Sequence, residues 1–161
     1  MSVVGDVGLI LTPVVVGLGF YFARRQLASA KNARMSEIVM AITARWNGPE
    51  LEEGRHRINK LGSGLAVAIQ EADASNSDDF YPLVRVANFF DALGLLVMEG
   101  FLSRQMAYDL FGAAEEHYYG LYKPVLEDVR LRESLECFQK LHDTFKAEAA
   151  SRSKTEPRRS P

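Results

Sequence analysis

Few residues that could support chemistry occur at a useful spacing in this sequence. The segment from Glu53 to His56 has the Glu-x-x-His spacing that helical bundles use for di-iron sites, but the second copy is missing. Glu115 and His117 lie two residues apart, and residues at that spacing do not share a helix face. The single cysteine, Cys137, excludes an intramolecular disulfide and a cysteine-based zinc cluster. No metal or cofactor is therefore predicted.

Motifs for nucleophilic catalysis and phosphate binding are also missing from the sequence. Gly62-Ser63-Gly64 lacks the flanking glycine and lysine of a phosphate-binding loop. No serine has the neighbours of a nucleophile elbow, and Cys137 has no base near it in the sequence. We therefore assign no catalytic residue.

Two polar residues interrupt the predicted apolar helix faces. Asp91 lies on the most apolar helix, and a buried carboxylate needs a partner. We predict an ion pair with Arg130, or else with Arg132, which would fix the register of the last helix; removing the carboxylate would cost about 3–5 kcal/mol. His142 lies within the apolar stripe of the last helix. It is either a proton-responsive or ligand-contacting group, or a core-edge imidazole bonded to a carbonyl or a carboxylate.

Three tyrosines, Tyr118, Tyr119 and Tyr122, cluster near the end of the fourth predicted helical segment. Tyrosine combines a large apolar surface with a polar tip and is enriched at protein interfaces. These residues are a candidate interaction surface, and ordinary packing is the alternative.

The N-terminal segment has the length and composition of a membrane-spanning helix. Residues 7–23 carry no charge, and residues 3–23 would span roughly 31 Å as a helix, against a hydrocarbon core of about 30 Å. Arg24 and Arg25 follow the apolar run and no basic residue precedes it, which is the reverse of a signal peptide. By the positive-inside rule, we expect the N-terminus outside the inner membrane and the following domain in the cytoplasm.

The remaining chain is predicted to be all-α. Residues 24–150 show apolar residues at helical spacing and are expected to form a bundle of four or five helices, with Phe80 to Glu99 as the central buried helix. Residues 151–161 are basic and rich in serine and proline, so we expect a disordered tail. The net charge of −2 argues against a dedicated nucleic-acid binder.

The run Asn88 to Val97 (NFFDALGLLV), followed by Gly100-Phe101-Leu102, resembles a bacterial family of membrane-anchored helical proteins known only as a domain of unknown function. The shared pattern is an aromatic pair, an acid, Leu-Gly-Leu-Leu-Val and a glycine-ended turn. The resemblance extends from about Arg34 to Phe145 and implies a spanning helix followed by a helical domain. No catalytic residues come with it.

Two functions are compatible with these features. The first is a membrane-anchored interaction module or accessory subunit of a membrane complex, bound to a protein partner or to a second copy. The second is a ligand-sensing bundle with a small-molecule pocket near Asp91 and His142. An exposed apolar patch would favour the first function, and a large apolar pocket with converging polar groups would favour the second.

Overall fold

The structure, a computed structural model, describes residues 33–127 and 133–155, and within these ranges it is helical without a strand. The predicted all-α class is therefore confirmed. The membrane-spanning helix predicted for residues 3–23 lies outside the described residues. The chain divides after Ile38 into two units, and the contacts reported below all lie in the second, Val39–Pro161.

Short local signals set the helix boundaries. Pro49 opens the second helix, with Glu50 and Glu52 in its first turn, where the helix dipole favours acidic side chains. Ser103 caps the fifth helix, because its hydroxyl accepts a hydrogen bond of 3.2 Å from the Met106 N–H. The helices are α1 (helical residues 33–46), α2 (Pro49–Leu61), α3 (Leu65–Ala74), α4 (Phe80–Met98), α5 (Arg104–Leu126) and α6 (Glu136–Thr155), with one 3₁₀ turn (Gly62–Gly64) between α2 and α3.

The central helix of the bundle is α4, as the sequence predicts. Nine of its residues are buried, and it packs against α2, α3, α5 and α6. In the part of the chain that the structure describes, α4 is also the one helix long and apolar enough to cross a membrane by length and composition. Its apolar surface is used here to build the core of the bundle.

Aromatic rings link the helices around α4. The Trp46 ring from α1 lies 4.9 Å from the ring of Phe89 and 5.5 Å from that of Phe90, between ring centroids. Phe90 in turn stacks on Phe138 of α6 at 5.2 Å. The guanidinium of Arg55 covers the Trp46 ring at 4.3 Å from its centroid. Ring pairs at these separations stabilise a core beyond their buried area.

The backbones of α4 and α6 approach each other closely at Gly94. A Cβ atom at this position would lie 2.8 Å from the carbonyl carbon of Cys137, and closer still to its oxygen. Only a residue without a side chain lets the backbone of α6 come this near.

The last helix extends to Thr155, five residues into the segment from Ser151 that the sequence predicts to be disordered. Arg152 provides the physical reason. Its guanidinium binds the Asp109 carboxylate at 2.6 Å and the Glu148 carboxylate at 3.0 Å, so it ties the end of α6 to α5. Residues 156–161 lie outside the described part of the chain.

Candidate functional site

The carboxylate of Asp91 caps the last helix from the side. Its Oδ1 accepts a hydrogen bond of 2.9 Å from the backbone N–H of Phe138, the third residue of α6. The first N–H groups of a helix have no partner within the helix, and the helix dipole favours a negative charge at this end. Arg130 and Arg132 lie outside the described ranges, so the ion pair stays a prediction. The Asp91 carboxylate does contact the last helix, but it binds the backbone of that helix rather than an arginine side chain.

The three tyrosines do not form the exposed surface considered from the sequence. Tyr118 is 5% exposed and Tyr122 is fully buried, and the Tyr122 hydroxyl donates a hydrogen bond to the Leu83 carbonyl oxygen. Tyr119 is half-buried and lies flat against the ring of His142. These rings face inward because α5 packs against α3, α4 and α6. The alternative, ordinary packing, therefore describes them.

The last two helices are joined by a buried pair of titratable residues. The Nδ1 atom of His142 in α6 lies 3.1 Å from Oε1 and 3.4 Å from Oε2 of Glu115 in α5. Glu115 is 1% exposed and His142 is 7% exposed. The Tyr119 ring stacks on the imidazole at a centroid distance of 3.5 Å, which fixes the plane of the imidazole ring. His142 is thus the carboxylate-bonded imidazole that the sequence allowed as one alternative.

Burial changes the acid–base properties of both partners in opposite directions. Desolvation, with a smaller contribution from the charge of Glu116, raises the pKa of Glu115 to about 8. Desolvation, assisted by Lys146, lowers the pKa of His142 below its ordinary value of 6.5. Between pH 6.5 and about 8, the pair therefore holds one proton, which is assigned to the pair rather than to either residue. This arrangement can take up and release protons near neutral pH.

A small cleft of about 70 Å³ adjoins the pair. A water molecule occupies about 30 Å³, so the cleft has room for about two, whereas small-molecule pockets usually measure about 300–1,000 Å³. Asp91 does not line it. The pocket expected near Asp91 and His142 is therefore not formed by this cleft. The cleft is lined by Tyr108, Gly112, Glu115, Glu116, His142, Phe145, Lys146 and Ala149.

Glu115 is the site residue that the sequence analysis missed. Its spacing to His117 is unfavourable for a metal-binding motif. The usable signal was its register, because it continues the buried stripe of α5 that contains Phe111, Tyr118 and Tyr122. A carboxylate within an apolar stripe requires a buried partner, and His142 interrupts the stripe of α6 in the same way.

A larger groove opens between α2 and α3, with a volume of about 570 Å³. Arg57 lies on its wall and is bound to Asp79 at 2.9 Å and to Glu53 at 2.8 Å. In the Glu-x-x-His segment, the Glu53 carboxylate therefore binds Arg57, and the His56 side chain is exposed. Apolar side chains, including Leu61 and Leu83, also line the groove.

Exposed apolar side chains gather around the turn between α4 and α5. Gly100 adopts a φ of +73°, and the Leu102 N–H donates to the Leu96 carbonyl oxygen at 3.1 Å. This hydrogen bond and the burial of the Leu102 side chain hold the turn in place. The neighbouring Phe101 side chain is 55% exposed. We call five of the nine large apolar side chains that are exposed within the described residues the corner patch: Leu95, Met98, Phe101, Met106 and Leu110.

Comparison with known proteins adds a family and no activity. The sequence model of a family described as a domain of unknown function (DUF4760) matches residues 8–146. No curated protein and no solved structure matches the chain.

Proposed function

The chain belongs to the DUF4760 family, a domain of unknown function, and we propose that it is a membrane-anchored helical module that binds a protein partner. The family match agrees with the expected likeness to a domain family of unknown function. Because the family carries no described activity, the proposal rests on the residues of this chain.

The proposed location follows from the charge pattern at the N-terminus. Residues 3–23 cross the lipid bilayer of the inner membrane, with the N-terminus outside. Arg24 and Arg25 hold the following helices on the cytoplasmic side, because basic residues flanking a span favour that side. The helical bundle is then presented close to other membrane proteins.

The corner patch is the observation that carries the interaction function. A group of exposed apolar side chains favours a binding site, and methionine and aromatic residues are enriched where proteins meet. The turn that bears Phe101 is anchored by the buried Leu102, so this part of the surface is ordered before a partner arrives, which reduces the entropic cost of binding.

The charges beside the corner patch indicate the class of partner. Glu99, Arg104 and Asp109 are all exposed near it. A mixed polar rim around an apolar centre is typical of a protein–protein interface, whereas an anionic lipid surface attracts an excess of lysine and arginine. We therefore assign a protein partner, either a subunit of a membrane complex or a second copy of this chain. Ligand sensing at His142 has less support, because the adjoining cleft is small.

Photo-cross-linking from the corner patch tests this function. Benzoylphenylalanine replaces Phe101 in the full chain in living cells, and Tyr81 is the matched control position. Both are aromatic and both are exposed; Tyr81 lies in the first turn of α4, whereas position 101 lies beyond its other end. We expect a discrete protein adduct from position 101 and none of that size from position 81. The same adducts from both positions, or none from position 101, would contradict the proposal.

A further inference from the structure

We propose that Glu115 and His142 form a proton-controlled clasp between α5 and α6, closed while the pair holds one proton and weakened when that proton is lost. This inference goes beyond partner binding and does not depend on it. It concerns how firmly the second half of α6 is held against the bundle.

Burial distinguishes this pair from the other charged residues of the bundle that the structure describes. Apart from tyrosines, Glu115 and His142 are the two buried residues with polar or charged side chains within residues 33–127 and 133–154, and they contact each other. They come from different helices, so their hydrogen bond joins α5 to α6. Tyr119 stacks on the imidazole and keeps Nδ1 directed at the carboxylate.

The net charge of the pair decides the cost of burying it. With one shared proton, the pair is neutral overall, either as a carboxylic acid with a neutral imidazole or as a carboxylate with an imidazolium. Without that proton, a bare carboxylate stays in a desolvated position, which is unfavourable.

The surrounding charges do not neutralise the carboxylate, because Glu116 and Asp143 disfavour its negative charge while Lys146 favours it. The cleft beside the pair has room for about two water molecules, which can exchange protons with it. The other titratable groups that act on the pair or line its cleft are Tyr108, Glu116, Tyr119 and Lys123 from α5, and Asp143 and Lys146 from α6.

The direction of the pH dependence follows from counting protons. Between pH 6.5 and about 8, the unfolded chain has lost the proton from both side chains, whereas the folded pair still keeps one. The folded state therefore loses its advantage as the pH rises through this range, by about tenfold in the opening equilibrium per pH unit. Just below pH 6.5, the histidine of the unfolded chain also takes up a proton, so the two dependences cancel.

Amide hydrogen exchange in the full chain tests the clasp. We expect protection factors in residues 143–152 to fall by up to about tenfold per pH unit between pH 6.5 and 8. Glu115→Gln should remove this dependence, because an amide does not titrate. Glu116→Gln, which changes the exposed neighbour on the same helix, should retain it.

Equal pH dependence in the wild type and in Glu115→Gln would overturn the clasp, and so would a flat profile in the wild type. If Glu115→Gln does not fold, His142→Gln serves as the second variant. It leaves Glu115 without its basic partner, so the pH at which protection falls should move. An unmoved profile in that variant would also overturn the clasp.

Discussion

Besides Asp109, which binds Arg152 near the end of α6, two carboxylates hold this helix at different points along its length. Asp91 accepts a hydrogen bond from its first turn, and Glu115 binds His142 one turn after Phe138. Both carboxylates belong to neighbouring helices, so the position of α6 depends on single polar contacts as well as on apolar packing.

Removing the Asp91 cap should destabilise the protein moderately. Asp91→Ala leaves the Phe138 N–H without its acceptor, and we expect a cost of about 1–2 kcal/mol in the free energy of unfolding. Asp91→Asn should cost less, because the amide oxygen can still accept. Chemical denaturation measures both, with Asn88→Ala, an exposed residue of the same helix, as the control.

A different magnitude would change the interpretation of Asp91. An unchanged free energy of unfolding would contradict the capping role. A loss of about 3–5 kcal/mol would instead support the buried ion pair with Arg130 that the sequence predicts.

The sequence predicts an arginine at the start of the last helix, Arg130 or else Arg132, as the partner of Asp91, and both lie outside the described residues. The structure shows a different contact, the backbone N–H of Phe138. The sequence alone does not reveal the contact with Phe138. A backbone N–H at a helix start can bind Asp91 only if that helix begins beside it in the fold, and a local pattern does not show this. The same limit applies to Glu115 and His142. Each interrupts an apolar stripe visibly, but their contact depends on the rotation of two helices about their axes.

At the scale of helices, three residues of α4 form a close contact with α6, which we call the joint. Phe90 stacks on Phe138, Asp91 caps α6, and Gly94 admits the α6 backbone. These three residues lie within one short run of α4, the run from which the sequence predicts a family resemblance. Their chemistry there is explained by packing against α6.

A methyl group at the joint should be costly. Gly94→Ala forces a Cβ atom against the backbone carbonyl of Cys137, which cannot move as a side-chain tip can, so we expect a loss of about 2 kcal/mol or more. Gly120→Ala is the matched control within α5. Its Cβ meets nothing within 4 Å, and alanine is the better helix former by about 1 kcal/mol.

Denaturation midpoints of the two glycine variants separate these effects. The midpoint should fall for Gly94→Ala and rise or stay level for Gly120→Ala. Similar midpoints for both variants would show that the α4–α6 approach is looser than described.

The helices themselves were predictable, because apolar periodicity, Pro49 and Ser103 act locally. The end of α6 was not. Arg152 lies in a segment whose composition is typical of disorder, yet it pairs with Asp109, 43 residues away along the chain. A contact over that separation leaves no trace in a local pattern, whereas the buried face of α4 is evident in its composition.

At the scale of the whole molecule, the proposed orientation predicts the outcome of reporter fusions. Alkaline phosphatase joined to the C-terminus should be inactive, and a fluorescent protein at the same point should be bright. Replacing Arg24 and Arg25 with glutamate should weaken this bias, because the flanking positive charge is removed. Active phosphatase at the C-terminus of the unmodified chain would contradict the orientation.

The measurement that tests the central claim most directly compares the cross-link from position 101 in two versions of the chain. One keeps the other four residues of the corner patch unchanged, and the other carries Leu95→Lys and Leu110→Lys. Both leucines are exposed, so the fold and its melting temperature should persist while the partner's apolar surface meets two charges. We predict that the adduct yield falls by about tenfold or more, equivalent to about 1.4 kcal/mol of binding. An undiminished adduct in the lysine variant, with the fold intact, would show that the corner patch is not the surface that binds the partner.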